Sequence, residues 1–148
     1  MPQPPSSPAL SIGRRLRNAA PVVAMAVLIA AGSVAHAARE HGRVGYVFDA
    51  DTFRLDTGTR IRIAAIDSAE TRSDWAKCAR EMTIGKAQTE RVRALLDGRR
   101  VTYQIVGRNR DRLVAKVWLG RRDLGKLLIE IGAARPWPRG KPKPDWCR

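Results

Sequence analysis

Five charged residues carry the chemistry open to this sequence: Asp51, Arg62, Asp67, Glu70 and Arg112. Asp51 lies in Val47-Phe48-Asp49-Ala50-Asp51-Thr52. The run Arg60-Ile61-Arg62-Ile63-Ala64-Ala65-Ile66-Asp67-Ser68-Ala69-Glu70 comes after a short turn. A second basic stretch, Arg108-Asn109-Arg110-Asp111-Arg112-Leu113-Val114-Ala115, comes later. Carboxylates hold a hard cation and activate water, while guanidiniums bind phosphate with two parallel hydrogen bonds and offset the charge of phosphoryl transfer. The pattern predicts metal-dependent cleavage of a phosphodiester.

These residues need a scaffold, and alternation supplies one. Val44, Tyr46 and Phe48 alternate, as do Phe53 and Leu55, and then Ile61, Ile63 and Ala65, with Asp56-Thr57-Gly58-Thr59 as a turn. That predicts a three-strand meander carrying Asp51 at its first corner. Residues 76–97 have helical composition without proline, and Gly98 ends them. Ile84, Ala87, Val92, Ala94 and Leu95 fall on one side as the expected buried face, with Arg91 intruding. Val101, Tyr103 and Ile105, then Leu113, Ala115, Val117 and Leu119, give two more strands. Leu124, Leu127, Leu128 and Ile131 mark a short helix over 123–131 that stops at Gly132. The expectation is an α+β protein, mainly β: a five-stranded OB-type barrel with two to three helices. An extended tail rich in Pro and Trp spans 135–148.

The chain of 148 residues suits one modest domain, and its 28 Lys and Arg against 14 Asp and Glu give a net charge of +14. Arg14, Arg15 and Arg17, the apolar stretch Ala19 to Ala31 and Ala35-His36-Ala37 read as a signal peptide over 1–37, too short for an anchor. Its removal takes away three arginines and no acid, leaving 25 basic against 14 acidic residues, a net charge of +11. The working protein, residues 38–148, is therefore expected to meet a polyanion beyond the membrane, in a periplasm or the medium. In that oxidising setting the only two cysteines, Cys78 and Cys147, are expected to pair. With His41 the sole histidine left, zinc and histidine catalysis are disfavoured.

With these residues in view, the chain resembles the staphylococcal nuclease (thermonuclease) family over about Gly42 to Ala134. The family's Asp-Gly-Asp-Thr corner appears as Asp49-Ala50-Asp51-Thr52. Its strand arginine ahead of an Asp-x-Pro-Glu turn appears as Arg62 with Asp67-Ser68-Ala69-Glu70, and its Tyr-Gly-Arg-x-x-Ala segment as Arg110-Asp111-Arg112-Leu113-Val114-Ala115. The resemblance implies Ca²⁺ held by Asp51, Asp67 and the Ser68 carbonyl, Glu70 as general base, and Arg62 and Arg112 on the scissile phosphate. It implies hydrolysis of single-stranded DNA, RNA or duplex DNA by a monomer, leaving 3′-phosphate ends, on an OB barrel.

The chain departs from that pattern in three places. Ala50 stands at the corner glycine, a concern only if the position needs positive φ. Ala69 stands at the proline before Glu70 and is expected to loosen the turn that aims the base. Arg110 and Asp111 replace Tyr-Gly. Trp137 and Trp146 could stack on bases or pin the tail, and the second role is preferred for Trp146 beside Cys147; Arg139, Lys141 and Lys143 read as a non-specific basic surface. Asp49 reads as structural. The competing expectation is a non-catalytic OB-fold module binding nucleic acid or another polyanion, which the retained acids argue against. A membrane-surface protein ranks below both, since no basic face lies opposite an apolar helix face.

Overall fold

The computed structural model describes residues 38–148, so the expected signal peptide lies outside the described residues. The described residues form ten elements in order: β1 (Glu40–Asp49), β2 (Thr52–Leu55), β3 (Arg60–Ile63), β4 (Ile66–Asp67), α1 (Ala79–Leu96), β5 (Arg100–Asn109), β6 (Arg112–Leu119), β7 (Arg122–Asp123), α2 (Leu124–Glu130) and β8 (Arg135–Pro136). Strands run β3-β2-β1-β5-β6-β7, and a parallel pairing of β3 with β6 closes the first five into a barrel. The expected α+β, OB-type barrel is the fold, with two helices. Phe53, Leu55, Ile61, Leu96, Leu124 and Leu128 fill its centre.

The alternation in β1 is broken by two irregularities. Val44 faces Leu55 but Tyr46 faces Arg54, and Val47 faces Phe53 but Asp49 faces Thr52, so Gly45 and Phe48 are each extra residues in the ladder. Each bulge reverses the facing of the residues beyond it. The interior residues are therefore Val44 and Val47, both 1% exposed, while Tyr46 is 43% exposed. The simple Val44-Tyr46-Phe48 face is corrected accordingly. The second bulge bends the chain just where Asp49 and Asp51 must turn toward Arg62.

β3 is also shorter than the alternation suggested. Ala65 takes φ of 62°, a left-handed conformation unusual for alanine, and this kink turns the chain out of the barrel ladder. Ile66 and Asp67 then pair with Pro136 and Arg135 of the tail. This exit carries Asp67 and Glu70 across the barrel end to meet Asp51.

Helix α1 is capped by Cys78, whose sulfur accepts from the Glu81 N–H, and Gly98 comes just after it with φ of 70°. Of the expected apolar stripe Ile84, Ala87, Val92, Ala94 and Leu95, only Val92 is buried; Ile84 and Leu95 are half-buried, and Ala87 and Ala94 are exposed. Glu81, Gly85, Gln88, Thr89 and Leu96 make up the rest of the buried face. The polar members are tolerated because each is bonded. The Glu81 carboxylate accepts from the Lys77 N–H at 2.7 Å, and Thr89 donates to the Gly85 carbonyl at 2.8 Å. Arg91, the intruder in the expected stripe, lies exposed and donates to the Ile131 carbonyl at 2.6 Å. Cys78 and Cys147 form the expected disulfide, which ties the tail to the start of α1.

Candidate active site

The end of the barrel opens into a cleft of about 180 Å³ lined from six parts of the chain: Asp49 and Asp51; Arg62; Asp67, Ser68 and Glu70; Trp75; Asn109 and Arg112; and Trp137 and Lys143 of the tail. The five charged candidates named from the sequence, Asp51, Arg62, Asp67, Glu70 and Arg112, line it, as does Ser68, which was named for its backbone carbonyl.

Asp51, 4% exposed, is the hub. Its Oδ1 pairs with Arg62 Nη1 at 2.5 Å and accepts from the Thr52 hydroxyl at 2.8 Å, while its Oδ2 accepts from the Ser68 N–H at 3.0 Å. That last bond joins the two acid-bearing turns across seventeen positions of sequence. Arg62 Nη2 donates to the Ile66 carbonyl at 3.2 Å and lies 3.7 Å from Asp67 Oδ1, and the guanidinium stands 5.4 Å from the Trp137 ring centre. Burial works against the Arg62 charge, but Asp51 and Asp67 outweigh it and raise its pKa. Arg112 lines the cleft half-buried and forms no ion pair among the described residues, though its charge helps lower the neighbouring Asp111 carboxyl.

Asp49 sits behind Asp51 and accepts the Asp51 N–H at 3.2 Å. Burial and the neighbouring Asp51 carboxylate push its carboxyl up to about 7. Burial also raises the Asp67 carboxyl above its ordinary value, despite the hydrogen bond from Trp146 and the charge of Lys143. Both shifts come first from burial, which disfavours the charged form even with Arg62 and Lys143 close by.

The tail supplies what the sequence motifs did not show. Trp146, 4% exposed, donates its indole N–H to Asp67 Oδ2 at 2.9 Å. Lys143 Nζ bonds Glu70 Oε1 at 2.6 Å and lies 3.5 Å from Asp67 Oδ1. Burial opposes the Lys143 charge, yet Glu70 and Asp67 raise its pKa. Lys143 is therefore no mere basic surface, and Trp146 pins the tail as preferred but does so on a site carboxylate. No local pattern marks either residue. Only their place next to Cys147 hints at it, since the disulfide must draw them inward.

Two sequence departures lose their expected weight. Ala50 is buried without positive φ, so no glycine is needed at that corner. Ala69 does not leave its turn loose: its N–H, which a proline would lack, donates to the Gln88 side-chain oxygen at 3.0 Å. Gln88 in turn donates to the Gly132 carbonyl at 3.1 Å. Gly85 completes the cradle, for a Cβ there would lie 2.4 Å from the Glu70 carbonyl oxygen. Arg110 takes φ of 53° in the two-residue turn between β5 and β6, and Asp111 pairs with Arg60 at 2.5 Å, away from the cleft.

The donor set suits a hard cation. Asp51 and Asp67 offer oxygen alone, and positive side chains of Arg62 and Lys143 already stand against them. Among the described residues no three acidic, His or Cys side chains gather into a ready cage. Compared with known proteins, the sequence matches no family model and no curated protein. The likeness to thermonucleases therefore stands on the motifs themselves.

Proposed function

We propose that the protein is an exported, calcium-dependent nuclease of the thermonuclease type with low sequence specificity. It would hydrolyse DNA or RNA and leave 3′-phosphate ends. One observation carries this reading: Asp51, Arg62, Asp67, Glu70 and Arg112, dispersed in sequence, line a single cleft. Export is supported by the amino-terminal sequence pattern and by the disulfide. No helix among the described residues is long and apolar enough to cross a membrane.

Asp51 and Asp67, with the Ser68 carbonyl, would hold the cation. A bound calcium ion would polarise the phosphate and make a nearby water easier to deprotonate. Glu70, on the cleft wall, would take the proton of the attacking water. Arg112 donates to the phosphate oxygens as negative charge grows there. Arg62 holds Asp51 through Nη1 and the Ile66 carbonyl through Nη2, and the N–H donors those contacts leave over would go to the phosphate.

The test mixes mature protein with single-stranded DNA, with calcium or with a calcium chelator. Short products ending in 3′-phosphate should form only with calcium. Glu70→Gln, which keeps the shape but not the base, should lower turnover by roughly 10²-fold or more with DNA binding retained. Salt-sensitive binding without cleavage in any divalent metal would overturn the reading in favour of a polyanion-binding module.

A further inference from the structure

The tail reaches the cleft along an anchored path. The Arg135 guanidinium lies over the Trp146 ring, 4.1 Å from its centre, and Arg135 Nη1 donates to the Asp145 carbonyl at 2.5 Å. The Cys147 N–H donates to Asp145 Oδ1 at 3.0 Å, and the Cys147 sulfur is bonded to Cys78. Trp146 is thus buried and fixed on three sides, with its one donor spent on Asp67 Oδ2. Lys143 is held differently. A third of its side chain is exposed, its segment has no regular structure, and its ammonium is shared between Glu70 and Asp67.

We infer that the disulfide-anchored tail is a working part of the cation site: Trp146 is a positioning residue that aims the Asp67 carboxylate, and Lys143 is a resident counter-charge that a divalent cation must displace. The inference rests on Asp67 serving as a cation ligand. Outer hydrogen bonds to a ligating carboxylate fix its orientation and leave its other oxygen for the metal. Trp146 binds Oδ2, while Oδ1 faces the Arg62 and Lys143 nitrogens. A nitrogen cation near Oδ1 occupies charge space that a divalent ion would need, and repulsion favours release of the Lys143 ammonium, whose side chain is one-third exposed. The two tail residues therefore act with opposite sign on cation affinity. A tail that merely stabilised the fold would move both variants the same way.

The test is calorimetric titration of CaCl₂ into the oxidised mature protein without nucleic acid. Trp146→Phe should weaken calcium binding by about 10-fold or more. Lys143→Gln should tighten it several-fold, and Lys143→Arg should restore the affinity of the parent. In an NMR titration of the parent, the Trp146 indole N–H resonance should shift as calcium binds. Weakening or no change in Lys143→Gln overturns the counter-charge role, and needs no assumption about folding because that side chain is partly exposed. An unshifted indole resonance on calcium saturation, or unchanged affinity in Trp146→Phe, overturns the positioning role. If the parent binds calcium and cleaves DNA while neither variant changes affinity, this inference fails alone. If the parent binds no divalent cation, the nuclease reading fails with it.

Discussion

Asp49 is the residue whose chemistry differs most from its appearance in the sequence. It reads there as a turn acid, yet burial and Asp51 push its carboxyl from 3.8 up to about 7. The folded protein holds a proton there that the unfolded chain releases, so this contribution to stability is full below 3.8 and is lost as pH rises through about 7. Burial raises the Asp67 carboxyl in the same direction. In chelator, the melting temperature should therefore fall between about pH 4 and about pH 7, and Asp49→Asn should flatten that slope. Calcium should flatten it too, since positive charge beside Asp51 and Asp67 removes the cost of ionising their neighbour. A slope unchanged in Asp49→Asn would assign the effect to other groups. The site residues themselves were legible in sequence because each carries a charge at motif spacing. The proton on Asp49 was not, because it depends on how deeply Asp51 and Asp49 are buried together.

At the scale of elements, α1 is the component that aims Glu70. Its face toward the site is Gly85 and Gln88, which meet the Ala69–Glu70 turn through backbone atoms and one side-chain oxygen. Gly85→Ala would place a methyl 2.4 Å from the Glu70 carbonyl oxygen and 2.6 Å from that of Ala69. Because the obstacle is backbone, the helix or the turn must shift. Such overpacking costs about 1–3 kcal/mol, so both melting temperature and turnover should drop. A variant with parental stability and turnover would remove α1 from this role. The helix itself was readable from composition and Gly98, but of its inward face only Val92 was. Hydrophobic periodicity finds faces that bury apolar surface, whereas this one docks on exposed backbone groups and needs donors, acceptors and a missing side chain. The bulges at Gly45 and Phe48 likewise defeat a period-two reading of β1, since each extra residue reverses the facing beyond it.

At the scale of the whole molecule, the Cys78–Cys147 bond links residues 69 positions apart and joins the tail to the helix that supports Glu70. Restricting the unfolded chain over such a loop contributes about 4 kcal/mol in the chain-entropy model. Replacing both cysteines with serine should lower the urea midpoint accordingly; an unchanged midpoint would show that the tail holds itself by Trp146, Arg135 and the β4–β8 pairing alone. The sequence by itself determined the barrel strands, the disulfide and the set of acids and arginines. Those come from local alternation, from there being only two cysteines, and from side-chain chemistry at short spacing. The tertiary structure alone decided that Lys143 stands on Glu70 and that Trp146 bonds Asp67, 79 positions earlier. Such contacts have no local signature. A lysine in a proline-rich tail looks the same whether it faces water or a carboxylate, and only the path of the folded chain tells the two apart.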